Sequence, residues 1–240
     1  MFRVNSVGNP KLRAPLLIAG FPGIANIGRI SVEFLIREFK AKPFLELYSS
    51  YFPEWVIREK ALVKAFMIRC YHAKAAGKDI ILATSDAQAV SPLGQYELSD
   101  EFLNVVEDYG VKTVVTMAAY VLPEREFRRG VFAAATDPKG FKKFWEKGAI
   151  ALDGGMIVGM NGLVVGLAGM RGWRGICLMG ATRGGVVDMD AAGEILRLLS
   201  EVYGFDLRVE NLHKYGASIP DLRTTSGSEF PVREEDNIYI

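Results

Sequence analysis

The last three residues, Ile238-Tyr239-Ile240, carry the most explicit chemistry in this 240-residue chain. An α-carboxylate has a pKa of about 3.5, so it is charged at neutral pH and can pair with a lysine. Tyr239 adds an apolar ring with one hydroxyl for a hydrogen bond, and Ile238 fills a small apolar slot. Together the three residues suit a socket on another protein. The approach to them fits that reading. Asp221-Leu222-Arg223-Thr224-Thr225-Ser226-Gly227-Ser228-Glu229 is small, polar and without periodicity. Phe230-Pro231-Val232-Arg233 and the acidic Glu234-Glu235-Asp236 follow. The expected division is a scaffold over residues 1–220 and a flexible tail over 221–240, with a root-mean-square reach of roughly 20–25 Å.

A second candidate is a crevice at strand C-terminal ends, built from Asn26, Asp86, Gln88, Thr182 and Arg183. Gly20-Phe21-Pro22-Gly23-Ile24-Ala25-Asn26-Ile27-Gly28 joins a strand to a helix N-terminus, where anions bind in many α/β proteins. It has neither the Gly-Lys-Ser/Thr of a phosphate loop nor the Gly-x-Gly-x-x-Gly of a dinucleotide site. Its structural reading is a tight turn at Pro22-Gly23 and close helix–sheet packing at Gly28. Thr182-Arg183-Gly184-Gly185 follows a strand and precedes Asp188 and Asp190, so Arg183 is either an anion ligand or a solvated loop residue. Asp86, Gln88 and Ser91 follow another strand, with no nucleophile or second carboxylate nearby to complete a catalytic set. The two histidines, His72 and His213, show no partner at recognisable spacing. No catalytic residue, metal ligand or cofactor is expected.

The elements that must position these residues alternate short apolar runs with amphipathic stretches, the pattern of helices on a mainly parallel sheet. Strands are expected at 16–20, 43–48, 66–71, 79–84, 113–119, 131–136 and 175–180. Helices are expected at 27–39, at 100–109 with Ser99 as cap, and at 190–203 with Asp190 as cap and Gly204 as stop. Gly155 to Met170 is apolar and almost uncharged, but shorter than the ~20 residues a bilayer needs, so a buried helix is expected. Its glycines at 155, 159, 162, 166 and 169 would share one helical face. Each costs about 1 kcal/mol against alanine, which calls for close approach by a neighbouring element or a neighbouring subunit.

Composition excludes several classes. Lysine and arginine number 29 against 28 acids, a net charge of +1, so the basic excess of a nucleic-acid binder or an electrostatic membrane binder is absent. Cys70 and Cys177 sit alone in apolar runs, as buried reduced thiols do. The first residues lack the apolar core of a signal peptide, giving the expectation of a cytoplasmic protein.

Four ordered segments, 20–28, 109–116 (Tyr-Gly-Val-Lys-Thr-Val-Val-Thr), 155–163 and Asp188-Met189-Asp190-Ala191-Ala192, resemble the archaeal form of the proteasome assembly chaperone family. They run from near residue 16 to about 215. The resemblance implies a three-layer α/β/α fold similar to nucleoside phosphorylases, used as an oligomeric protein-binding scaffold. Members ending in hydrophobic-Tyr-X are similar to proteasome activators, which insert that tripeptide into pockets between α-ring subunits of the core particle. Carried onto this sequence, the partner-binding residues are Ile238, Tyr239 and Ile240. The implied protein is an ATP-independent homo-oligomer that docks on the core particle, as activator or assembly factor. Two alternatives are an enzyme or small-ligand binder taking a nucleotide- or phosphate-type ligand in the strand-end crevice, and an oligomer whose main partner is a paralogous family member, with the tail masked against the body.

Overall fold

Leu16–Ala19 has no polar side chain and no alternation, the mark of a strand covered on both faces. In the computed structural model, which describes residues 1–216, it is the middle of a nine-stranded sheet. In chain order the described elements are β1 (Phe2–Ser6), β2 (Leu16–Ala19), α1 (Ile27–Glu38), β3 (Lys42–Ser49), β4 (Val56–Glu59) and β5 (Leu62–Ala65). Next come β6 (Met67–Ala75), β7 (Lys78–Ser85), α2 (Pro92–Glu107), β8 (Thr113–Val121), β9 (Val131–Ala135) and α3 (Pro138–Trp145). The chain continues through β10 (Ile150–Ala151), α4 (Met160–Met170), β11 (Arg174–Thr182), α5 (Met189–Tyr203) and α6 (Leu212–Gly216).

The sheet order is β1-β3-β6-β7-β2-β8-β11-β9-β10, and β4 pairs with β5 in a separate hairpin. Its centre, β7-β2-β8-β11, is parallel. Both flanks begin antiparallel, through β6 on one side and β9 on the other. The expected mainly parallel sheet is therefore a mixed one with a parallel centre. The cause is local on one flank: β6 and β7 are joined only by Ala76 (φ 47°) and Gly77 (φ 71°), and a two-residue turn permits only an antiparallel return.

Three layers follow from alternation along the central strands. Leu16, Ile18, Val115 and Met117 face a cluster with α1 and α5. Leu17, Ala19, Ile81 and Val114 face the opposite cluster with Leu98, Phe102, Met160 and Val164 of α2 and α4. In α1 the residues singled out by spacing, Ile27, Ile30, Phe34 and Leu35, are all buried. Cys70 and Cys177 are free, fully buried thiols.

Three expected boundaries move. The cap of α2 is Ser91, whose hydroxyl accepts from Gly94 N–H at 3.1 Å, with Pro92 at the first helical position. Ser99 lies inside that helix and is buried. The cap of α5 is Asp188, and Asp190 sits in the first turn. The apolar helix α4 begins at Met160, because Gly155 (φ 113°) and Gly159 (φ 82°) adopt backbone that a helix excludes. The five glycines therefore do not share a helical face. β1, the β4–β5 hairpin and α3 were not expected.

Gly20 and Gly28 face each other where β2 hands over to α1. A Cβ on Gly20 would collide with Gly28 carbonyl O, and one on Gly28 with Met117 carbonyl O. Neither obstacle is a movable side chain. Gly28→Ala is expected to destabilise the fold by about 1–3 kcal/mol, read as a fall of roughly 2–4 °C per kcal/mol in a thermal melt. An unchanged melt would contradict this packing.

Candidate functional site

The parallel strands β2, β7, β8 and β11 end together, and the expected crevice residues follow them. The 20–28 turn runs through this place and is bonded on both sides. Gly20 N–H donates to Ala83 O at 3.0 Å, and Thr84 Oγ1 donates to Gly20 O at 2.7 Å. Asn161, only 5% exposed, holds both ends of the next residue: Phe21 N–H donates to its Oδ1 at 3.0 Å, and its Nδ2 donates to Phe21 O at 3.2 Å. Thr116 Oγ1 donates to the Asn161 backbone carbonyl at 2.6 Å, tying α4 to β8. Gln88 completes this side, donating from Nε2 to Pro22 O and accepting at Oε1 from Met160 N–H at 2.8 Å.

On the other side the turn meets the loop after β11. Ala25 N–H donates to Gly185 O at 3.2 Å, and Asp188 N–H donates to Ala25 O at 3.1 Å. Asn26 Nδ2 donates to Val186 O at 3.2 Å. These bonds hold Ala25 (φ 53°) and Asn26 (φ 50°) in left-handed backbone, which costs free energy for a residue other than glycine.

The five expected crevice residues are thus near the strand ends, each bonded to other groups of the chain. Asp86 accepts from Met67 N–H at 3.2 Å and from Arg69 at 3.1 Å. Gln88 is committed to the turn and to α4. Asn26 and fully buried Thr182 serve the opposite side. Arg183 departs altogether: its Nε is 2.8 Å from Glu124 Oε2 and its guanidinium lies 4.1 Å from the Phe127 ring centroid.

Thr182 belongs to a node centred on Asp188. Its hydroxyl donates to Asp188 Oδ2 at 2.8 Å, Ala191 N–H donates to Oδ1 at 2.9 Å, and Arg129 donates to both oxygens at 3.1 Å. Burial opposes the Asp188 charge. The hydrogen bonds from Ala191, Thr182 and Arg129, with the Arg129 charge, outweigh it and hold the carboxyl below the usual carboxylate range. His213 does have a partner, since α6 brings its Nε2 to 3.1 Å from Asp190 Oδ1. His72 packs edge-on to Phe44, and burial lowers its pKa.

Anion sites at helix N-termini depend on free N–H groups. Here α2 is capped by Ser91, α5 by Asp188, and α4 receives the Gln88 carbonyl oxygen, whereas α1, which follows the 20–28 turn, has no side-chain cap. Sequence reasoning missed Asn161 and Arg129. A lone amide in a charge-free apolar run was the available signal for Asn161, and Arg129 had none. Ile238, Tyr239, Ile240 and the proposed boundary at residue 220 lie outside the described residues.

Comparison with known proteins agrees with this architecture. The PAC2 family model matches residues 17–219. The protein MJ1210 of Methanocaldococcus jannaschii is 34% identical over 204 residues, covering 85% of this chain and 79% of its own. The crystal structure of Pyrococcus furiosus PbaB, an archaeal proteasome activator, matches with a TM-score of 0.83 at 29% identity, covering 95% of this chain and 99% of that one. Pyrococcus furiosus PbaA, an archaeal homolog of proteasome-assembly chaperone, shares the fold with a TM-score of 0.75 at 24% identity, over 90% and 93% of the two chains.

Two substitutions test the site. Asn161→Ala leaves the buried Phe21 N–H and carbonyl unpaired and is expected to cost at least about 2 kcal/mol in chemical denaturation. Asp188→Asn keeps a competent cap but removes the charge that faces Arg129 and the α5 N-terminus, and is expected to lower stability at pH 7 by on the order of 1 kcal/mol. A lowered folded-state pKa gives stability that is present above the unfolded value near 3.9 and lost as pH falls through the folded value. The gap between Asp188→Asn and wild type should therefore close below about pH 4. A gap that is constant across this range contradicts the assignment.

Proposed function

The chain belongs to the PAC2 family, and on that footing we propose that it is a homo-oligomeric, ATP-independent proteasome-binding protein that docks on the core particle α-ring through Ile238, Tyr239 and Ile240. The observation that carries this reading is the likeness to PbaB, which extends over nearly the full length of both chains. The tripeptide supplies the recognition chemistry: a carboxylate for a lysine, a ring with one hydroxyl, and a small apolar side chain. Residues 217–240 would reach roughly 80 Å if fully extended, ample for contact with a neighbouring surface.

One tripeptide binds weakly. Several on a single oligomer raise the affinity through effective concentration without adding any contact. The strand-end groups support a non-catalytic reading, because Asp86, Gln88, Asn26, Thr182 and Arg183 are each engaged by other groups of the same chain. ATP or phosphate is accordingly expected to leave the melting temperature unchanged. A shift that Arg183→Ala removes would favour the ligand-binding alternative.

The direct test is pulldown of archaeal core particle by the full chain, by a chain ending at Asn237 and by Tyr239→Ala, with peptide-hydrolysis rates measured on each. Binding by the full chain, lost in both variants with the oligomer and the circular dichroism spectrum intact, is the expected outcome. Faster hydrolysis assigns an activator, and binding without acceleration assigns an assembly role. Undiminished binding by the chain ending at Asn237 would overturn docking through the tripeptide.

A further inference from the structure

Helix α4, Met160-Asn161-Gly162-Leu163-Val164-Val165-Gly166-Leu167-Ala168-Gly169-Met170, contains no charged residue. Every other described α-helix does: Arg29 and Arg37 in α1, Glu97 and Asp100 in α2, Lys142 in α3, Glu194 and Arg197 in α5, Lys214 in α6. A helix on an outer layer keeps an apolar stripe inward and polar groups outward. One that is apolar all round is covered on both sides. The inner side of α4 is accounted for by buried Met160, Asn161, Val164, Val165 and Ala168. On the opposite side lie exposed Gly166 and Met170 with half-buried Leu163, Met170 being 85% exposed, while Leu167 at the edge packs partly against the core.

The glycines sharpen this contrast. A Cβ at Gly162 would run into Ile157, and one at Gly169 would run into Thr136. A Cβ at Gly166 would meet nothing within 4 Å. Glycine in an exposed helix costs about 1 kcal/mol against alanine, and at Gly166 nothing within the chain requires it. The segments next to α4 also carry exposed apolar residues. Met156 (79%) and Val158 (75%) lie in the loop that enters α4, and Val90, Leu93 and Tyr96 lie at the start of the adjoining α2. At the far end Arg171 bonds to Asp100 and Asn104 and pairs with Glu107, closing the apolar area with a polar rim. An apolar centre with a polar rim is the anatomy of a protein interface.

We propose that this face is buried against the same face of a second copy of the chain, with the two α4 helices crossing near Gly166 about a two-fold axis. This contact rests on the homo-oligomer of the preceding section and gives it a location. A two-fold brings identical patches together. An uncharged stripe meets its own copy without like-charge repulsion, and paired glycines let two helix backbones approach closely. The exposed β4–β5 hairpin is the rival surface, but Arg58, Glu59, Lys60 and Lys64 are interleaved through it. An interface of ordinary size needs roughly 800 Å² per partner. The α4 stripe, about 16 Å long at 1.5 Å per residue, depends on the Met156, Val158, Leu93 and Tyr96 flank to approach that area. Among the described residues no helix is long and apolar enough to cross a membrane.

The test is oxidative cross-linking of Gly166→Cys in the full chain, with Val63→Cys on the hairpin as control. Cys70 and Cys177 are buried, and burial pushes the Cys177 thiol up to about 11, so neither competes under mild oxidation. Gly166→Cys is expected to give a covalent dimer on a non-reducing gel, and Val63→Cys none. Met170→Lys, read by sedimentation alongside its circular dichroism spectrum, is expected to at least halve the particle mass while keeping the fold. No cross-link above the control, an unchanged mass for Met170→Lys, or a monomeric wild type overturns the proposal; the last leaves the face to a different protein. The chain ending at Asn237 separates the two proposals, since it should lose core-particle binding and still cross-link through Gly166→Cys.

Discussion

Where β2 leaves the sheet, the peptide groups of Phe21 are buried and must find partners without water. One side chain supplies both, the Asn161 amide reaching across from α4. Much of the surrounding architecture depends on that reach. Thr116 fixes the Asn161 backbone from β8, and Gln88 bridges the turn to the first N–H of α4. The Gly20–Gly28 approach seats α1 on the opposite face of the same turn. Four elements from distant parts of the chain are thereby locked to one short loop. A carboxamide presents a donor and an acceptor side by side, matching the N–H and C=O of one peptide residue.

Closing the strand ends has a functional consequence. In open α/β sheets this region is where ligands commonly bind, because loops leave a crevice and helix N-termini offer free N–H groups. In this protein the polar groups there are turned on one another. Asp188 caps α5 while also gathering Thr182 and Arg129, and Arg183 is drawn away by Glu124 and Phe127. The same chemistry that could have held an anion is spent on rigidity. The chain belongs to the PAC2 family, whose model spans residues 17–219 and so covers this network.

The glycines of residues 155–169 illustrate how one composition serves several physical ends. Gly155 and Gly159 supply backbone outside the helical region, Gly162 and Gly169 admit Ile157 and Thr136, and Gly166 is the one of the three helical glycines that faces open space. Spacing alone treats all five as equivalent. Backbone angles and neighbours separate them into three roles, and only the last points outside the chain.

The sequence by itself determined the layer architecture, the central strands, the buried face of α1 and the buried thiols, because each rests on local apolar pattern. Leu16–Ala19 reads as a two-faced strand, and Ile27, Ile30, Phe34 and Leu35 read as one helical face, whatever surrounds them. The four motifs between residues 20 and 192 likewise sufficed for the family. Tertiary structure alone decided matters of pairing and competition. Ser91 and Asp188 outcompeted Ser99 and Asp190 as caps because backbone geometry, not residue type, selects among nearby candidates. β1 and the β4–β5 hairpin were illegible because short, mostly exposed strands carry little apolar signal. The Asn161–Phe21 clamp spans 140 positions, a separation at which no periodicity survives. The partners of the crevice residues and of His213 likewise came from elements meeting in space, which no local pattern records.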